Sequence, residues 1–185
     1  MVDIIFLNGT SSSGKSSIAK KIQEISNIPF IHLEIDTFLQ MIKFEHIDCD
    51  ALDGVNETCA KLISGFHKCF GSMVNAGNHV IIDHVLQEKN WLPECLAILK
   101  QHKVYLVGVH CNIDSLNERE SKRGDRPIGL AESQLGKVHY HEIYDIEVNT
   151  DLQTSEECAR QIINFLMTTE NPKAWSQLIS RNNIT

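Results

Sequence analysis

The stretch Gly9-Thr10-Ser11-Ser12-Ser13-Gly14-Lys15-Ser16 satisfies the pattern G-x-x-x-x-G-K-[ST] and directly follows a short apolar run. Those residue types at that spacing hold phosphates. Small side chains let the backbone wrap a phosphate with successive N–H groups turned inward, and a helix opening near Lys15 adds the positive end of its dipole. Lys15 has the charge and reach to span two adjacent phosphates, while the Ser16 hydroxyl can ligate magnesium. Ser17 completes the predicted nucleotide-binding set. The expected ligands are therefore ATP and Mg2+.

Two aspartates fall where strands of such a domain end. Asp83 closes the apolar run His79-Val80-Ile81-Ile82-Asp83, where a carboxylate can hold magnesium or a water bound to it, or can cap a following helix. Asp36 follows Phe30-Ile31-His32-Leu33-Glu34-Ile35. It can accept the proton of an incoming hydroxyl, and spacing alone allows a helix cap equally. His84, beside Asp83, either binds substrate or caps the next segment. Further on, Arg119, Arg123 and Arg126 fall within eight residues, with Gly124 and Gly129 allowing a sharp bend. Guanidinium groups suit phosphate oxygens and the charge that develops in phosphoryl transfer, so residues 119–136 are expected to form a lid. His139 and His141 lie two apart, but no neighbouring Cys or carboxylate completes a ligand set for a dedicated metal site.

The elements that must position these groups follow from periodicity. Short apolar runs at residues 2–7, 30–35, 79–83 and 103–110, with a weaker one at 145–148, alternate with longer helical segments. This alternation predicts an α/β domain around a parallel sheet with internal strands. Val55, Cys59, Leu62, Ile63, Phe66, Phe70 and Met73 recur at helical steps, as do Trp91, Leu92, Cys95, Leu96 and Leu99. Thr154 with Glu157 reads as a capping box opening a helix through Leu166. Residues 43–54 and 122–136 fit neither period and are expected to be functional loops. One domain is expected over residues 1–185, with Trp175, Leu178 and Ile179 of the tail 170–185 docking as a short helix.

Composition excludes several classes. The chain has 185 residues, 42% apolar and 22% charged, ordinary proportions for a folded domain, and its net charge of −7 leaves no basic face for long nucleic acids. No apolar run approaches the roughly 20 residues that cross a bilayer. The six cysteines lie far apart without a C-x-x-C pair or a secretory leader. They read as small buried hydrophobes in a reducing, cytoplasmic protein.

The chain resembles the chloramphenicol phosphotransferase family, small P-loop enzymes that phosphorylate a drug hydroxyl from ATP. The resemblance rests on Ile4-Ile5-Phe6-Leu7-Asn8-Gly9 leading into the cradle, Asp36-Thr37-Phe38, Ile81-Ile82-Asp83, Val107-Gly108-Val109-His110-Cys111, residues 119–126, and Tyr144-Asp145-Ile146-Glu147-Val148-Asn149-Thr150. It implies a three-layer P-loop NTPase fold of the nucleoside-monophosphate and shikimate kinase type, with five parallel strands and helices on both faces. It makes Asp36 the general base and puts Lys15, Ser16, Arg123 and Arg126 on phosphate-handling positions. Asn149 and Thr150 fall where such kinases approach the adenine. The family carries a second aspartate where this chain has His84, and the segment after Asp36 differs from the drug-binding region.

The expected reaction is transfer of the γ-phosphoryl group to a hydroxyl of a small molecule, with antibiotic resistance as one setting. The alternatives are a metabolite kinase of shikimate or nucleoside-phosphate type, and a non-catalytic ATP-binding switch. Lys43 is the only Lys or Arg between Asp36 and Lys61, which favours a neutral alcohol over a phosphorylated acceptor. A switch would leave Asp36 and the arginines without a purpose.

Overall fold

Five short apolar runs become the strands of one parallel sheet in the computed structural model, which describes residues 3–41, 57–123 and 128–184. They are β1 (Ile4–Asn8), β2 (Phe30–Glu34), β3 (His79–His84), β4 (Val104–His110) and β5 (Ile146–Asn149), in the order β2-β3-β1-β4-β5. Every pairing is parallel, with β1 between β3 and β4. A parallel sheet is covered on both faces, which is why these runs are continuously apolar rather than alternating.

Successive side chains of β1 enter different cores. Ile4 and Phe6 join Val80, Ile82, Val104 and Leu106 on one face, whereas Ile5 and Leu7 join Ile81, Val107 and Val109 on the other. The first face is covered by α3 (Glu57–Asn75), α4 (Trp91–Ile98) and α8 (Ala174–Arg181), and the second by α1 (Lys15–Ile25) and α7 (Ser155–Thr168). The described helices follow the expected apolar steps, while Val55 lies outside the described residues. Thr154 and Glu157 form the reciprocal capping box predicted at the start of α7. The tail helix α8 buries Trp175 and Leu178 in the first core.

Strand order positions the site. From β1 the chain moves to β2 and β3 on one side and then to β4 and β5 on the other, so the loop after β1 leaves the sheet where the winding reverses. Carboxyl ends of neighbouring strands diverge there and leave a crevice. The short helix α2 (Ile35–Gln40) follows β2 at the same end, and α5 (Ile113–Arg123) follows β4.

Part of the loop expectation needs correction. Residues 43–54 lie outside the described residues, but within 122–136 the structure has α6 (Leu130–Val138). Its buried positions Leu130, Ala131, Gln134 and Val138 keep a helical step that the intervening charged and polar residues conceal. One cysteine departs from expectation, since Cys59 is disulfide-bonded; Cys95 and Cys158 are free and buried as expected, and Cys69 and Cys111 are free and half-buried. No helix among the described residues is long and apolar enough to cross a membrane.

Candidate active site

The loop after β1 forms the predicted cradle. A Cβ at Gly9 would lie 2.5 Å from the Val109 carbonyl oxygen and 2.7 Å from Ser13 Oγ, so only glycine lets the loop leave the sheet this tightly. Gly14 adopts φ 95°, a left-handed conformation glycine tolerates, and is the N-cap of α1 without any side-chain cap bond. The first turn of α1 therefore presents its N–H groups and dipole to a ligand. The Ser12 and Ser13 hydroxyls are buried without hydrogen-bond partners, and a phosphate anion would supply acceptors for both. Thr10 is buried in the same turn, and its carbonyl accepts a 2.8 Å bond from Lys15 Nζ.

Beside Lys15 lies Asp83. Ser16 Oγ donates to Asp83 Oδ2 at 2.5 Å, Lys15 Nζ is 3.8 Å from Oδ1, and His32 Nε2 is 3.6 Å from Oδ2. Burial raises the Asp83 carboxyl, but Lys15, His32 and Ser16 together outweigh it and hold Asp83 below the ordinary carboxylate range. The cap reading of Asp83 fails because no helix follows at once; α4 starts at Trp91. A serine hydroxyl and an ionised carboxylate in contact suit magnesium, a hard cation that takes oxygen ligands.

A cavity of about 540 Å³ opens over the cradle and is bordered by Lys15, Ser16, Ser17, Asp83, Asp36 and Arg123. Asp36 occupies the first turn of α2, whose N-cap is Glu34, so Asp36 is not the cap. Arg123, at the end of α5, brings Nη2 to 3.9 Å from Asp36 Oδ2. Arg126 lies outside the described residues. Arg119 is tied into the cradle wall: Nη1 donates to Thr150 Oγ1 and Nη2 to the Thr150 carbonyl, each at 2.9 Å, and Thr150 Oγ1 donates to the Ser13 carbonyl. Thr150 borders the cavity, whereas Asn149 does not; its Oδ1 accepts from the Asp151 N–H.

Several residues here escaped sequence reasoning. Buried Glu120 accepts the Gly129 and Ala131 N–H groups at 2.6 and 3.0 Å, capping α6 from another helix. Gln134 accepts the Ser11 N–H at 2.7 Å and donates to Gln87 at 2.7 Å, linking α6 to the cradle. Asn8 accepts the Leu86 N–H and donates to the Val138 carbonyl, fixing the end of β1. These partners are far apart in the chain and carry no local pattern.

Five histidines form two clusters beside the site. His139 stacks on His110 at 4.3 Å and bonds the Tyr144 hydroxyl, while His141 contacts Asn8; burial lowers both rings to about 4. His84 caps nothing. It ends β3, lines the cavity beside Trp91 and contacts His67 Nε2 through its own Nε2 at 2.8 Å. Burial and His67 hold His84 well below its ordinary value.

The cradle at the switch point, the Ser16–Asp83 pair and the parallel order place the chain in the P-loop kinase fold. It aligns with an unliganded sugar kinase from Janibacter sp. at TM-score 0.68 and 18% identity, covering 90% of this chain and 95% of that one. It aligns likewise with the Mycobacterium tuberculosis APS kinase in complex with AMPPNP and APS, at TM-score 0.64 and 16% identity over 90% and 98% of the two chains. The family model described as chloramphenicol phosphotransferase-like protein matches residues 2–167, and the chain belongs to that family. A Mycobacterium tuberculosis relative provisionally named an O-phosphotransferase is 26% identical over 96% of this chain and 88% of its own length. Family and fold together make the chain a phosphotransferase of the kinase type.

Proposed function

We propose that the chain transfers the γ-phosphoryl group of ATP to a hydroxyl of a small, largely apolar molecule. The observation that carries this reading is the convergence of Lys15, Ser16, Asp83, Asp36 and Arg123 on one cavity. The cradle N–H groups and Lys15 hold the phosphates in place. Ser16 and Asp83 would hold magnesium, which neutralises charge on the terminal phosphates. Asp36 accepts the proton as the acceptor oxygen bonds to the γ-phosphorus and the bond from that phosphorus to the bridging oxygen breaks, releasing ADP. Arg123, beside Asp36, supplies positive charge where the transferring group becomes most negative, and Arg126 is assigned the same task from the sequence. Thr150 is assigned to the adenine side.

The acceptor side of the cavity includes Ile35, Leu39, Ile63 and Trp91. That lining supports a neutral alcohol with an apolar body, with chloramphenicol and other hydroxylated antibiotics among the candidates. The test is ADP formation from Mg-ATP with chloramphenicol and a panel of hydroxylated antibiotics and metabolites, product masses being read in parallel. The expected result is a phosphorylated product whose formation falls at least about 100-fold in Asp36→Asn. Full activity in that variant would remove Asp36 from the mechanism, and ADP formation indifferent to every acceptor would overturn the kinase reading.

A further inference from the structure

A polar chain runs from His84, which lines the cavity, back through His67 and Glu94 to Ser64. Ser64 Oγ donates to Glu94 Oε1 at 2.6 Å, Glu94 Oε2 lies 2.8 Å from His67 Nδ1, and His67 Nε2 lies 2.8 Å from His84 Nε2. His67 and His84 are both buried. Phe66 packs edge-on against His84, which stacks on Trp91 with ring centres 5.4 Å apart. The far nitrogen, His84 Nδ1, is buried without a hydrogen-bond partner.

We propose that Glu94 and His67 fix the tautomer of His84 so that its Nδ1 carries a bare lone pair, which selects acceptors with a second hydrogen-bond donor besides the hydroxyl that is phosphorylated. The part concerning acceptors rests on the kinase reading; the tautomer assignment does not. An ionised carboxylate only accepts, so the N–H of His67 must be on Nδ1. Burial keeps the His67 ring below the ordinary histidine range despite Glu94 beside it, so its Nε2 has no proton. Only one hydrogen fits between two nitrogens 2.8 Å apart, and His84 must therefore supply it from Nε2. Its Nδ1 is left as an acceptor, and a buried acceptor without a donor favours a ligand that brings one.

One ring nitrogen of His67, one of His84 and Cys95 Sγ lie within 4.8 Å of one another, a trio of metal-ligating residue types. The distances argue against a metal site. Two imidazoles sharing a tetrahedral zinc, each about 2.0–2.1 Å from it, have their nitrogens roughly 3.3 Å apart, whereas 2.8 Å is a hydrogen bond.

The test uses the full chain labelled with 15N-histidine, read by long-range proton–nitrogen correlation without nucleotide. The expected pattern is His67 protonated only at Nδ1 and His84 only at Nε2. Glu94→Gln should reverse both, because the amide can turn its oxygen to Ser64 and donate its N–H to His67. His84 Nδ1 would then carry the proton. Adding 1,2-propanediol should move the His84 Nδ1 resonance in the parent and not in Glu94→Gln, while 1,2-dimethoxypropane, which has no donor, should leave it in place. In the acceptor panel, His84→Phe should raise the acceptor KM roughly tenfold, the scale of one hydrogen bond, with the KM for ATP unchanged. A proton on His84 Nδ1 in the parent, stoichiometric zinc uptake abolished by Cys95→Ala, or a resonance indifferent to both probes would overturn the inference. If the tautomers and the diol response hold and no acceptor is phosphorylated, the kinase reading fails alone.

Discussion

Replacing Asp83 by asparagine removes one charge from a buried pair and leaves the other. Lys15 and Asp83 have side chains only 7% and 6% exposed, 3.8 Å apart at their charged atoms. Breaking a buried pair from one side costs about 3–5 kcal/mol, because the remaining ion keeps its desolvation penalty. Lys15 retains its bond to the Thr10 carbonyl, and asparagine keeps an oxygen for Ser16. The loss should therefore sit near the lower end, about 3 kcal/mol. In a domain of this size each kcal/mol moves Tm by about 2–4 °C, which predicts a fall of about 6–12 °C. The effect has a definite pH dependence. Because the Asp83 carboxyl is held below its ordinary value of 3.8, its contribution is complete above that value and disappears as pH falls through the lower folded value. Urea unfolding at pH 7 and at successively lower pH should show a large deficit for Asp83→Asn at neutrality that begins to shrink only below 3.8, as the parent takes up the proton. Equal stability of the two proteins at pH 7, or a deficit unchanged in acid, would refute the argument that this pair is held by charge.

Other consequences are simpler to check. Trp175→Ala removes a ring 3% exposed and packed 5.3 Å from Phe6; urea unfolding should show a loss of about 3–5 kcal/mol, and no loss would detach the tail from the core. Gly9→Ala puts a methyl group against the Val109 carbonyl and Ser13, so calorimetry should find ATP binding abolished and stability lower by about 1–3 kcal/mol. Chelating divalent ions should stop ADP formation without unfolding the protein, since Ser16 and Asp83 remain hydrogen-bonded to each other. Magnesium should restore turnover; activity in excess chelator would remove the metal role from that pair.

What the sequence revealed about this molecule was mostly local. The cradle is contiguous, and the apolar runs state their own burial, so β1 to β4 were legible to within a residue or two at each end. Asp83 and Asp36 stood out as candidates, but whether either capped a helix depended on where the next helix began, which only the folded backbone decides. The α6 helix was read as loop because its apolar face is narrow and its cap is Glu120, nine residues before Gly129 in the chain and on another helix. Likewise Glu94, His67 and His84 come from α4, α3 and β3, and no spacing rule joins them. Long-range polar satisfaction leaves little trace in a single sequence, because each member taken alone is an ordinary surface or core residue.

Asp145 has a consequence beyond geometry. One of its carboxylate oxygens accepts the Leu106 N–H of β4, and the other accepts the N–H groups of Lys173 and Ala174 where α8 begins. The same helix seats Trp175 against Phe6 of the first strand. During synthesis on the ribosome, the part of the first sheet face that α8 covers therefore stays open beside Phe6 until residues 174–181 have left the exit tunnel, although α3 and α4 can already pack there. A nascent chain stalled before that point exposes apolar surface beside Phe6, and such a chain is a natural client for chaperones.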